Sequence, residues 1–503
     1  MEQENLNVEV INEPVCLNQV IGEEINQISL TEEINLSKKL DKVVEVEVFV
    51  PQHKIEVNVL DDKVSVEGKL TRIVYGITLG GDLVEEVLPE MQFSHFIHMQ
   101  GVQPKDSALV NVTLEDYDGK LNGSETLQEE AKLELFVKVT TTKKVDIFKD
   151  IGKDINQTKD LTRIQNLIDQ KEVEIPTEFD VEFDTEVSQF IETEAEVIPK
   201  NLRVADNNGE IEADIIYRIL YRTEDGKLKE TKGKEVFSKK VDLTGVDTSM
   251  EMWADLKVKH VEQQLKDSKL AATQILTVYC NLKIIETSQM ELVTHAENVD
   301  TYNDRYTVEN IVCEEEESIN SQQSTEFSTE VAEIERISSV CKIIENKVLE
   351  DKVALNLNLT HIVHYKDEDD KQRIIKVAGE NFTHFIYMAG ITEDMKALLQ
   401  TDISDVKVEM TPDSMAATIS CQANLKAKVL QNELVELVTD VNVLKDQTHD
   451  ASVIIYSVQK GDTIFKIAKR FGVRQKEIIG ANKENIKDPN QINLGQKLII
   501  PCS

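Results

Sequence analysis

Along most of the chain apolar and polar residues alternate one for one, as in Val44-Glu45-Val46-Glu47-Val48 and Ile55-Glu56-Val57-Asn58-Val59. That period of two puts the apolar residues on one face of a pleated strand, and predicts one buried and one wet face for each sheet. Short polar breaks at Asp61-Asp62, Asn207-Asn208-Gly209 and Glu224-Asp225-Gly226 read as tight turns between antiparallel strands. Together they predict a mainly β protein of sandwich-like antiparallel domains. Long helices are scarce, and the stretch Leu161 to Gln170 is the best candidate for one.

The chain also repeats itself. Phe93-Ser94-His95-Phe96-Ile97-His98-Met99-Gln100-Gly101-Val102 returns as Phe382-Thr383-His384-Phe385-Ile386-Tyr387-Met388-Ala389-Gly390-Ile391, with a weaker copy from Phe237 to Gly245-Val246. The phenylalanines lie 144 and 145 residues apart, a domain-sized period rather than the shorter one of a solenoid. Asp62-Lys63-Val64 and Asp351-Lys352-Val353 each precede their phenylalanine by 31 residues, and alternating stretches at Leu133 to Val139, Ile275 to Ile284 and Ile419 to Val429 read as closing strands. In each copy the phenylalanine anchors a core and the glycine ends a strand where the backbone turns. The expected boundaries are 1–155, 156–302 and 303–445 for three β repeats, 446–453 for a linker and 454–501 for a small terminal domain.

At 503 residues the chain is long enough for three or four domains. Its net charge of −37 disfavours nucleic acid and anionic lipid as partners, and a basic protein suits it better. The tail differs: from Val453 onward nine Lys or Arg face four acids, a surplus of five positive charges that marks a separate domain. The acidic run Glu314-Glu315-Glu316-Glu317 reads as a solvated loop opening the third repeat. The start Met1-Glu2-Gln3-Glu4 lacks the basic flank and apolar core of a signal peptide, and no apolar run approaches the ~20 residues of a spanning helix.

Candidate chemistry is sparse. Cys16, Cys280, Cys313, Cys341, Cys421 and Cys502 are scattered without metal-ligand spacing, which fits reduced thiols in a cytosolic chain. His95 and His384 occupy matched positions, but the second copy has Lys239 there, so they read as strand histidines rather than metal ligands or acid–base groups. No phosphate-binding glycine loop or nucleophile–base pair is legible, so neither enzyme activity, cofactor nor metal is expected.

From Ile455 to Pro501 the order of elements is strand, two short helical stretches, polar loop and strand. Gly461 permits a tight turn, Asp462 or Thr463 can cap the first helix, and Ile464, Ile467, Ala468 and Phe471 recur at helical spacing. With Tyr456 to Ala468, Phe471-Gly472-Val473, Ile478, Asn482, Asn493 to Gln496 and Ile500-Pro501, the segment resembles a βααβ LysM module over its whole length. The resemblance implies a groove for N-acetylglucosamine chains or a protein ligand, lined here by Gly461, Asp462, Thr463, Ile464, Asp488, Pro489, Asn490, Gln491 and Ile492. Phe465 stands where the family commonly has Trp.

Three acidic β repeats followed by a terminal LysM module resemble the SipL-type spore coat morphogenetic proteins of clostridia, whose repeats are SPOCS domains. That resemblance implies a non-enzymatic coat-assembly adaptor in the mother-cell cytoplasm. It would be recruited to the forespore surface by the basement-layer morphogenetic ATPase of the spore coat. The alternative is a peptidoglycan-binding wall protein, which would need an export route that the sequence does not display.

Overall fold

The computed structural model describes residues 10–152, 155–297, 299–442 and 453–501, and is mainly β with several antiparallel sheets. The first segment contains β1 (Ile11–Asn35), β2 (Leu40–Phe49), β3 (Glu56–Leu60), β4 (Lys63–Thr78), β5 (Leu83–Val87), β6 (Met91–His98), β7 (Ser107–Asn122) and β8 (Thr126–Asp150). The second contains β9 (Gln157–Glu182), β10 (Val187–Ala205), β11 (Asn208–Thr223), β12 (Leu228–Asp242), β13 (Glu251–Leu265) and β14 (Ala271–Ala296). The third contains β15 (Asp300–Glu326), β16 (Val331–Leu349), β17 (Lys352–Asp367), β18 (Gln372–Ala378), β19 (Phe382–Tyr387), β20 (Lys396–Met410) and β21 (Ala416–Asn442). The tail adds β22 (Val453–Ser457), α1 (Ile464–Phe471), α2 (Gln475–Ala481) and β23 (Lys497–Pro501).

One strand order recurs. The first strand of each segment pairs with its last, and the last with the one before it, giving β1-β8-β7, β9-β14-β13 and β15-β21-β20. A second sheet is centred on β4, β11 and β17. Its flanking strands are continuous in β10, β12 and β16 but divided into β2 and β3, β5 and β6, and β18 and β19 elsewhere. Alternate residues of the last strand face the second sheet. Leu133, Leu135 and Val137 pack on Val64, Val66 and Phe93; Leu276, Val278 and Leu282 on Ile211, Ala213 and Phe237; Ala423, Leu425 and Ala427 on Val353, Leu355 and Ile386.

The turn at each segment's centre follows the repeated sequence. Asp62, Asn207 and Asp351 adopt positive φ of 59°, 60° and 58°, and Gly101, Gly245 and Gly390 adopt 92°, 71° and 82°. These conformations are easiest for Gly and for Asn or Asp. The carbonyls of Asp62, Asn207 and Asp351 accept from Met99 N, Leu243 N and Met388 N at 2.9–3.0 Å. The carboxylates of Asp62 and Asp351 also accept from Gly101 N and Gly390 N at 2.6 Å.

The first and last strands run on beyond these cores, β1 and β8 spanning 25 residues each, about 80 Å of extended chain. Their far ends meet. Ile147, Leu292 and Leu437, spaced by 145, share one buried cluster with Val15, Leu17, Val145, Ile164, Tyr306 and Val308. Next to it Phe148, Val293 and Val438 pack with Ile151, Ala296 and Val441, again spaced by 145. The first and third segments are further joined by a bridge between Gln19 and Val308, which makes one six-stranded sheet.

Three expectations require correction. Leu161 to Gln170 is not a helix but part of β9. Ile164 is buried among the strand tips, while Ile168, the unpaired residue at a register shift in the pairing with β14, packs on the sandwich core. A strand that changes cores along its length imitates helical spacing. The Glu314–Glu317 run is not a loop but lies in β15; Glu314 pairs with Lys426 and Glu317 with His384. The polar sheet faces are not all wet either, because the second sheets of the three segments cover one another.

Glu47, 6% exposed, shows what that covering requires. It accepts from Tyr75 Oη at 2.9 Å and from Arg336 Nη2 of the third segment at 2.8 Å. Arg336 also reaches His364 Nε2 at 2.6 Å and lies 3.6 Å from Glu230 of the second segment, which accepts from Arg218 at 2.8 Å. Burial alone would raise the Glu230 carboxyl, but Arg218, Lys232 and Arg336 outweigh it and bring it down to about 2. Glu47 is likewise held low by Arg336 and His364 against its burial, and burial lowers His364.

The expected outcome of Ile147→Ala is a loss of about 2–5 kcal/mol in denaturant unfolding, with proteolytic cutting appearing in all three segments rather than in the first alone. Arg336→Met is expected to cost about 3 kcal/mol near neutral pH, because Glu47 is left charged and buried. A depressed carboxyl stabilises the fold above its ordinary value of 4.5 and loses that contribution as pH falls. The deficit of Arg336→Met therefore narrows in unfolding curves recorded below pH 4.5.

Candidate functional site

The tail builds a small domain around Ile464, Ile467, Ala468, Ile478, Leu498 and Ile500. β22 and β23 pair antiparallel from Val453–Pro501 to Ser457–Lys497, with the two helices between them in sequence. Gly461 takes φ 84°, and Thr463 Oγ1 accepts from Lys466 N at 3.2 Å as the cap of α1. Asp462 has a different task. Its carboxylate accepts from Tyr456 Oη at 2.6 Å and Gln459 N at 2.8 Å, with Arg470 at 3.6 Å. Burial would raise this carboxyl, but the Tyr456 bond and its other partners outweigh that and lower it.

The expected groove residues therefore divide into two groups. Ile464 is 2% exposed and belongs to the core, on which Ile492 also packs, so the two loops border one apolar centre. Asp462 and Thr463 are spent on holding the turn. Gly461, Asp488, Pro489, Asn490 and Gln491 are exposed. Asp488 shapes its own loop, accepting from Asn490 N at 2.9 Å and Gln491 N at 3.0 Å. The side-chain amides of Asn490 and Gln491 have no hydrogen-bond partner among the described residues, which makes them the groups most available to a ligand.

Sequence reasoning did not anticipate the seat of this domain on the third segment. Phe465, 2% exposed, packs its ring 5.1 Å from that of Tyr302, and Lys469 pairs with Asp440. Asp300 Oδ2 accepts from Gln475 N at 2.7 Å, and Asn442 Nδ2 donates to Val473 O at 3.2 Å. The available signal was Tyr302, an aromatic residue in a polar stretch whose counterparts at the same strand position, Ile11 and Thr158, are not aromatic. Because Phe465 faces Tyr302, it supplies no exposed aromatic platform to the groove. Most of the expected linker, residues 446–453, and Cys502 lie outside the described residues, as Val453 already begins β22.

The other candidates are structural. Cys16, Cys280, Cys313, Cys341 and Cys421 are free thiols, and burial raises Cys280 to about 12 and Cys341 to about 11. His384 Nε2 donates to Glu317 Oε2 at 2.7 Å on a strand. No group of three metal-ligating side chains occurs among the described residues. No described helix is long and apolar enough to cross a membrane.

Comparison with known proteins agrees with this architecture. Residues 39–122 and 186–266 match the SipL, SPOCS domain family, and residues 456–501 match the LysM domain family. No curated protein and no solved structure matches the chain. The two SPOCS regions fall on β2–β7 and on the corresponding strands β10–β13, and the LysM region on β22 to β23. The chain is thus a SipL-like, sporulation-related protein that carries SPOCS domains and a C-terminal LysM binding module.

Proposed function

We propose that this protein is a non-enzymatic adaptor of spore coat assembly, with three SPOCS-type β domains forming a rigid body that presents a LysM module to a protein partner. In this reading the third segment is a SPOCS domain as well, supported by its strand order and by the matching Asp351 and Gly390 turn. The partner is the basement-layer morphogenetic ATPase of the coat, bound at the forespore surface from the mother-cell cytoplasm. The observation that carries the choice of a protein ligand is Phe465 turned inward on Tyr302, which leaves the groove with polar amides and no aromatic face for a sugar ring. Aromatic faces contribute much of the apolar contact at binding surfaces.

A second reading, the binding of N-acetylglucosamine chains, is favoured by the unpaired amides of Asn490 and Gln491. The full chain titrated with the purified ATPase and, separately, with chitin oligomers distinguishes the two. The expected result is saturable ATPase binding, weakened about tenfold when Asn490 and Gln491 are both replaced by Ala, a loss of about 1.4 kcal/mol, with no chitin response. Chitin binding without ATPase binding would overturn the adaptor reading in favour of the wall-binding one.

A further inference from the structure

The strand faces turned away from the three sandwich cores enclose a cavity of about 40 Å³. A water needs roughly 10–15 Å³ of such space, so the cavity has room for about three water-sized groups. Its lining contains four ammonium groups, those of Lys138, Lys257, Lys283 and Lys428, against the carboxylates of Glu309 and Asp255. Lys138, Lys283 and Lys428 are spaced by 145, so each of the three segments directs the same lysine into one space.

The carboxylates satisfy two of these four cations, Lys138 and Lys428, and not the other two. Glu309 pairs with Lys138 and accepts from Asn18 Nδ2 at 3.1 Å, leaving Lys283 a 3.9 Å approach. Glu23, behind Lys138 at 3.6 Å, is shared with Lys396. Asp255 lies 3.3 Å from Lys428. Lys283, whose side chain is 8% exposed, and Lys257 have no hydrogen-bonded acceptor among the described residues, and the buried Nε1–H of Trp253 has none either. Burial disfavours the charged form of Lys257, with Asp255 opposing it. A buried cation without an acceptor is costly, as is a buried donor.

We propose that this cavity is a binding site for a small oxoanion of phosphate or sulfate type, which accepts from Lys283, Lys257 and Trp253 and ties the three segments together. Such a ligand supplies several acceptor oxygens and the negative charge that the lining lacks.

The test uses the full chain and inorganic phosphate, with sodium chloride at equal ionic strength as the control. Trp253, the single tryptophan, reports directly through its fluorescence. The expected result is a saturable phosphate-specific change, accompanied by a rise in melting temperature with phosphate concentration. Lys283→Met is expected to weaken phosphate binding at least tenfold. Should that variant fail to fold, Trp253→Phe keeps every charge and is expected to reduce the phosphate-dependent rise in melting temperature. Equal responses to phosphate and chloride, or an unchanged phosphate response in whichever folded variant is tested, would overturn the proposal.

Discussion

The contact among Ile147, Leu292 and Leu437 is the constraint on which the arrangement of the segments depends. Each sandwich has its own core, so the long first and last strands do not need to extend so far for that core alone. Their extended ends carry apolar residues that water would meet unless two other segments supplied the matching surface. Burying a Leu or Ile side chain is worth about 1.5–3 kcal/mol, and the two tip clusters bury several from every segment. Once the tips are joined, the outer faces of the second sheets are brought against each other. That contact explains why Glu47 and Arg336 are buried, and Arg218 and Glu230 half-buried, as a paired set rather than hydrated separately. Burying such pairs carries a desolvation cost that the pairing has to offset, so each charge depends on its partner in another segment or strand.

The same arrangement gives the tail its place. Tyr302, Asp300, Asp440 and Asn442 all lie at the outer end of the antiparallel β15–β21 pair, the end carried to the shared tips. The LysM domain is therefore seated at one defined position on the body, with Asn490 and Gln491 exposed. A SipL-like chain built this way combines a β body with a binding module of opposite charge balance: the tail has a surplus of five positive charges within a chain of net charge −37.

Much of this was legible from the residues. The Phe93, Phe237 and Phe382 spacing revealed the repeat, and the Asp62 and Gly101 positions marked the turns because few other residues tolerate their backbone conformation. The LysM elements followed from Gly461, the Thr463 cap and the apolar spacing of α1. Contacts between segments were not legible. Ile164 looked helical because it serves the tips while Ile168 serves a sandwich core. Glu47 and the Glu314–Glu317 run looked solvated because their partners, Arg336, Lys426 and His384, are distant in sequence. Phe465 read as a groove substitution because nothing nearby in the sequence pointed to Tyr302. Local periodicity encodes which face of a strand is apolar, but not which other segment covers it.

The most direct test of a body held by its shared tips is urea unfolding of the full chain, followed at once by Trp253 fluorescence and far-ultraviolet circular dichroism. Trp253 lies on the second segment, in the cavity lined by all three, whereas the dichroism reports the strands of every segment. The account predicts coincident transitions with a single midpoint. Separate transitions, with Trp253 exposed while much of the strand signal persists, would contradict it.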